Sequence, residues 1–171
     1  LRYDGAGIAR PPAKDPAPMD LDAVTARCKA LAPAQVEDTF ARMGFVFGHG
    51  FQVFAALHYA ADEALAHLRL PQIADSRPEA FVLHPSLLDG AFRTVLGIGG
   101  LRSEPGELQA PVALGAIEIL HPVQGDCYAY ARRISSDPVN GRERFDVQLL
   151  DAKGRVLVRI ERLTVQPAPQ L

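Results

Sequence analysis

Two cysteines in 171 residues leave no disulfide framework to staple this chain. Cys28 and Cys127 stand in unrelated contexts without metal-ligand spacing, and are expected as reduced, half-buried thiols. Basic excess is also missing: the net charge is -2 with 22% charged residues, which argues against a nucleic-acid partner. No run approaches the roughly 18 apolar residues of a membrane span, and the N-terminus lacks the basic, apolar, small-residue order of a secretory signal. The expectation is a soluble, cytoplasmic protein with no membrane partner. There is no Gly-rich phosphate loop, no nucleophile elbow, no aromatic–basic stripe and no internal repeat. His58, His67 and His121 lie in strand-like text with no carboxylate or cysteine partner in reach along the chain, so no metal site is expected.

What is present is a core. With 48% hydrophobic residues, a chain of this size buries roughly 70% of its unfolded surface, enough for one domain. Residues 9–18, ARPPAKDPAP, are dense in proline and read as an extended linker. Only LRYDGAGI precedes them, so residues 1–19 are expected to be the tail of something upstream plus a linker, and 20–171 the domain.

Leu21, Val24, Cys28 and Leu31 recur at helical spacing behind Asp20, and Val36, Phe40 and Met43 do so behind Pro33, predicting two short helices before Gly44. Alternation from Phe51 to Tyr59 and from Ala64 to Leu70 predicts two strands meeting near Ala61 and Asp62. His84-Pro85 opens a third helix, with proline at the first position, where its missing N–H costs nothing. Its apolar residues, Leu87, Leu88, Ala91, Phe92, Val95 and Leu96, cover more than one face, which places it centrally. Strands over 112–120, 126–135, 143–151 and 154–166 complete the text, with turns at Asn140-Gly141 and Lys153-Gly154. The predicted class is α+β: five or six antiparallel strands around one buried helix.

Two segments carry most of the chemistry, GFVFGHGFQ at 44–52 and HPSLLDGAFR at 84–93. Together they resemble the C-terminal half of a dehydratase domain from a modular polyketide synthase, a hotdog fold that forms one half of a double hotdog. Gly44, Gly48, Phe51 and Gln52 match that family's G-x-x-Y-G-P-x-F-Q segment, and His84, Pro85, Leu88 and Asp89 match its H-P-x-x-L-D motif. QAPVALGAIEIL, 109–120, is similar to the strand that follows the family's helix. The resemblance implies Asp89 as the acid, and an acyl tunnel bordered by Phe47, Gly48, His49, Phe51, His84, Pro85 and Leu88. It implies no cofactor bound by this chain. The substrate would be a β-hydroxyacyl thioester on the phosphopantetheine of an acyl carrier protein. Implied partners are that carrier, a neighbouring ketosynthase and the missing N-terminal hotdog; a homodimer stays open.

Three departures bear on activity. Phe47 replaces the usual tyrosine, His49 the usual proline, and Arg93 the usual glutamine or histidine one turn past the acid. The family's catalytic histidine, in an H-x-x-x-G-x-x-x-x-P segment, has no counterpart in this chain, so the partner base would come from outside it. Residues four apart share a helix face, so Arg93 is expected to pair with Asp89 and favour its charged form. Burial against Leu83, Leu87, Leu88 and Phe92 would favour the neutral form instead. Asp89 is then a base, an anchor for a polar substrate group or half of a buried pair, with Arg93 stabilising a developing oxyanion as a second catalytic group, or Arg93 swings out toward a phosphopantetheine phosphate. Asp89 and Arg93 as an ordinary exposed ion pair is the plainer alternative. Three functions follow: dehydration, dehydratase-like branching or cyclisation by conjugate addition, and a non-catalytic docking hotdog. A stand-alone hotdog thioesterase or hydratase is disfavoured by the linker.

Overall fold

A computed structural model describes residues 15–72, 78–100 and 109–168. Of the expected tail and linker at 1–19, residues 1–14 lie outside them. Helix α1, Leu21–Arg27, starts where Asp20 accepts a hydrogen bond from the Ala23 N–H at 2.9 Å. It ends sooner than its periodicity predicts, because Lys29–Leu31 pairs as strand β1 with Tyr59, His58 and Leu57. Inter-strand bonding outcompetes a helical pattern only one residue in four deep. Helix α2, Pro33–Arg42, buries Val36 and Phe40, and Gln35 reaches back to accept the Ala32 N–H at 2.9 Å.

Strands β2, Phe54–Tyr59, and β3, Glu63–Leu68, form the hairpin expected around Ala61 and Asp62. The start of the first is displaced: His49–Phe51 is a single 3₁₀ turn. Helix α3, Pro85–Thr94, continues as a 3₁₀ turn through Gly97. The predicted strand over 112–120 is two pieces, β4, Gln109–Ala113, and β5, Ala116–Ile119. Strands β6, Cys127–Asp137, β7, Arg142–Leu150, and β8, Val156–Pro167, follow. All pair antiparallel in one sheet, ordered β1-β2-β3-β6-β7-β8-β4, with β5 also on β8. Among the described residues that makes eight strands rather than the five or six the sequence suggests.

Register explains how the sheet takes a helix into its concave side. Ala64 faces Ala131 and Ala66 faces Ala129 across β3 and β6, all fully buried, so small side chains leave room where α3 lies. Leu87, Gly90, Ala91 and Thr94 form the face of α3 sunk in the core. Gly90 is required by close approach: a Cβ there would sit 2.7 Å from Val53 Cγ2. Beyond the alanines the walls turn large, with Phe145, Leu149, Ile160 and Leu163 fully buried. Each such side chain contributes roughly 1.5–3 kcal/mol of burial. Cys127 is fully buried rather than half-buried, and burial pushes its thiol up to about 12. Among the described residues no helix is long and apolar enough to cross a membrane.

The split of the edge strand has a local cause. Arg162 adopts φ 55°, a left-handed kink in β8, and Asp146 accepts its N–H at 3.0 Å. Below the kink β8 pairs with β5, above it with β4. Gly115 closes the gap by donating to the Glu161 carbonyl at 3.0 Å.

Gly154, in the turn before β8, takes φ +77°, and its carbonyl accepts the Met19 N–H at 2.9 Å. A Cβ would lie 1.9 Å from the Met19 oxygen. Gly154→Ala therefore loses about 1–2 kcal/mol from the backbone alone. It must also push the segment before α1 off the turn. Thermal unfolding should show a midpoint lowered by at least about 2–4 °C, given about 2–4 °C per kcal/mol at this size. An unchanged midpoint would mean that this contact holds nothing.

On the outer face, Glu63 accepts Arg27 Nε at 2.6 Å, Arg27 Nη2 at 2.8 Å and the Tyr130 hydroxyl at 2.8 Å. The Arg27 hydrogen bonds hold its carboxyl below the usual 4.5, against the opposing effect of burial. A depressed folded value means the stabilisation is complete above 4.5 and disappears as the pH falls through the folded value. Denaturant titrations across this acid range should show wild type losing stability more steeply than Glu63→Gln. Parallel curves would refute the linkage.

Candidate active site

The site begins with the cap of α3. His84 Nδ1 accepts the Ser86 N–H at 3.2 Å, so the ring carries no proton on that nitrogen, and Pro85 occupies the first turn. One turn on comes Asp89, and one turn further Arg93. Arg93 Nε donates to Asp89 Oδ2 at 2.7 Å.

The two partners sit in different environments. The Arg93 side chain is 5% exposed and that of Asp89 38%. The exposed ion pair and the swung-out arginine are both replaced by a buried guanidinium joined to a carboxylate at a boundary. Arg93 Nη2 donates to the Phe51 carbonyl at 2.5 Å. Its guanidinium carbon lies 3.9 Å from the Phe47 ring centre, 5.1 Å from that of Phe54 and 5.6 Å from that of Phe40. Nη1 is buried with no hydrogen-bond partner among the described residues. Burial pulls the guanidinium below its ordinary value, with Asp89 pulling the other way. An arginine has enough reserve to stay cationic.

These aromatic rings explain the loop at 44–52. Phe45 and Phe47 stack 5.6 Å apart at 9°, and Phe40 of α2 meets both edge-on. The Phe47 ring presents its π face to the Arg93 guanidinium.

A cavity of about 90 Å³ opens beside the pair, lined by Phe45, Phe47, Asp89, Phe92, Arg93 and Leu96 among others. Asp89, Phe92, Arg93 and Leu96 are spaced i, i+3, i+4 and i+7, one face of α3. Of the residues expected at the site, Asp89, Arg93 and Phe47 meet at this cavity. Phe51 contributes its carbonyl, while its ring is exposed. Gly48, His49 and Pro85 are exposed, and His84 and Leu88 half-buried; none of the five lines the cavity. Leu87, expected beside the acid, points into the opposite side of the core, fully buried. Phe45 and Leu96 were not among the expected residues, although the i+7 spacing from Asp89 to Leu96 was a readable signal.

The other histidines also differ from expectation. His67 Nε2 lies 3.5 Å from Asp126 Oδ2, and His121 Nε2 lies 3.1 Å from Asp15 Oδ2. Both carboxylates are too distant in sequence for local reading to supply them. Among the described residues no three ligand-type side chains cluster as a metal site.

The family model described as "Polyketide synthase dehydratase N-terminal domain" matches residues 16–171. This chain belongs to the polyketide synthase dehydratase family. It is 33% identical over 148 residues to polyketide synthase PksN of Bacillus subtilis, covering 85% of this chain and 3% of that protein. A trans-AT polyketide synthase dehydratase domain from Brevibacillus brevis superposes with TM-score 0.80 at 28% identity, over 94% of this chain and 56% of that one. The dehydratase domain of RzxB from Pseudomonas fluorescens gives 0.72 at 27% identity, over 88% and 54%. The dehydratase-family chain thus spans little more than half of these solved domains and a few per cent of the synthase. The antiparallel sheet around a helix is the hotdog fold expected from the sequence.

Proposed function

We propose that this chain is the C-terminal hotdog of a polyketide synthase dehydratase-type domain, and that Asp89 is its proton-transfer group. The substrate is an acyl chain held as a thioester on the phosphopantetheine of an acyl carrier protein. The observation that carries the reading is the position of Asp89. It lies on the central helix, at the wall of an aromatic cavity, with one oxygen engaged by Arg93. The absence of an H-x-x-x-G-x-x-x-x-P segment from the chain supports the C-terminal assignment, although the matched description speaks of an N-terminal domain. In dehydration, a base from the companion hotdog takes the proton next to the thioester carbonyl. The β C–O bond breaks, and the hydroxyl leaves as water with a proton relayed by Asp89.

A second reading is favoured by one observation, the 2.7 Å bond from Arg93. That bond engages Oδ2 of Asp89 as an acceptor and leaves Oδ1 for a substrate group. That suits conjugate addition, in which Asp89 deprotonates a nucleophile adding to an unsaturated thioester. The neighbouring ketosynthase and carrier are the expected partners in either case. The test presents the full parent region with carrier-bound β-hydroxyacyl and α,β-unsaturated thioesters and follows the products by mass spectrometry. Loss of water supports dehydration and adduct formation supports addition. Unchanged substrate in both arms rejects catalysis and leaves a docking role.

A further inference from the structure

One polar side chain at the Asp89 cavity has no part in the chemistry proposed so far. Three polar residues line that space of about 90 Å³: Asp89 and Arg93 from α3, and Gln109 from β4. The rest of the lining is hydrocarbon or aromatic. Strand geometry aims Gln109 inward. Gln109 and Pro111, two apart on β4, both line the cavity, as does Val165, the β8 partner of Pro111, while Ala110 between them does not. Gln109 is half-buried, and it also lines the wider opening at the C-terminal end of α3, so it stands where the two spaces meet.

The other two polar groups leave a task for it. Arg93 commits Nε to Asp89 and Nη2 to the Phe51 carbonyl, and its Nη1 is buried. Asp89 takes the Arg93 bond on Oδ2, which leaves Oδ1 for a substrate oxygen. An oxygen held by one carboxylate alone can pivot about that single contact. A carboxamide offers two N–H donors and an acceptor in one plane and does not titrate, so it can hold an oxygen in place without taking its proton. The apolar remainder of the wall strengthens such a bond relative to water.

Resting on the assignment of Asp89 as the proton-transfer group, we propose that Gln109 is a second substrate-contacting residue, donating Nε2–H to the same β-oxygen that Asp89 serves. During dehydration the β C–O bond breaks and the departing oxygen receives its proton through Asp89. Gln109 keeps its hydrogen bond to that oxygen throughout and neither gains nor loses a proton. Two contacts, one from the central helix and one from the sheet edge, fix where the β-oxygen sits relative to the acid.

The experiment uses the full parent region and unreactive pantetheine amides in place of thioesters, so that binding is read without turnover. Two acyl amides of equal length, one with a β-hydroxyl and one without, are titrated by calorimetry into wild type, Gln109→Met and Gln109→Leu, with circular dichroism checking each fold. Both substitutions keep the bulk of the side chain and remove its N–H donors. Wild type is expected to prefer the hydroxylated probe, and each variant to cut that preference by about threefold to tenfold, the range for one net hydrogen bond. Affinity for the probe without the hydroxyl stays as in wild type, a pattern that altered packing alone does not give. In turnover of a carrier-bound β-hydroxyacyl thioester, kcat/KM falls by a similar factor. Equal affinity of wild type for the two probes, or a preference undiminished in a folded variant, overturns the proposal. Asp89→Asn separates the two assignments: turnover close to wild type in that variant counts against Asp89 itself, whereas its loss together with an undiminished preference in Gln109→Met removes Gln109 alone.

Discussion

Asp89→Asn lowers turnover of a carrier-bound substrate by about two to four orders of magnitude, the usual contribution of a positioned proton-transfer group. The substitution is chosen for what it keeps. Asparagine has the same shape, and its side-chain oxygen can still accept the 2.7 Å hydrogen bond from Arg93 Nε. The cavity lining therefore persists while the group loses its capacity to exchange a proton. It also leaves a guanidinium that is 5% exposed without its countercharge, so some stability is lost. Turnover is accordingly measured well below the variant's thermal midpoint, with circular dichroism confirming the fold. In the dehydration reading water loss disappears; in the addition reading the adduct disappears and the unsaturated thioester persists. Turnover within a factor of three of wild type would remove Asp89 from the chemistry in both.

The pairing of Asp89 with Arg93 could be anticipated because two local rules meet there. A proline at the first helical position fixed where α3 starts, and the four-residue spacing to Arg93 placed both groups on one face. Nothing local showed that this face looks into aromatic rings. Phe40 comes from α2, Phe47 from the loop and Phe54 from β2, and only their convergence turns an i, i+4 pair into a buried one. The fold divides the same way. Hairpins joined by Asn140-Gly141 and Lys153-Gly154 were legible, since the turns demand those residues. Both glycines indeed take positive φ. Strand β1 was not legible, because its three residues are strand only through pairing with β2. Nor was the break between β4 and β5, which is imposed by the kink at Arg162 well downstream. Long-range pairing overrides local pattern at both places.

Arg93→Ala is expected to be the most destabilising single change at the site, by about 2–5 kcal/mol, the range for truncating a large buried side chain. Three separate losses add to it. The hydrogen bond to Asp89 is charge-assisted and contributes about 1.5–3 kcal/mol. The Phe51 carbonyl loses its donor, freeing the loop that starts β2. Truncation also empties the space between Phe40, Phe47 and Phe54, and an unfilled cavity carries its own penalty. Arg93→Met separates these contributions, because methionine fills the aromatic cage while removing charge and hydrogen bonds. Arg93→Lys tests geometry: an ammonium keeps the charge but cannot fork between Asp89 and Phe51 as a planar guanidinium does. The expected order of midpoints is wild type, then Lys and Met, then Ala, read by thermal and denaturant unfolding. Hydrogen exchange should rise around Phe51–Val53 in all three variants, since each loses the bond to the Phe51 carbonyl. If Arg93→Ala unfolds within about 0.5 kcal/mol of wild type, the ordinary range of a surface substitution, the guanidinium is not the strut that joins helix, acid and loop.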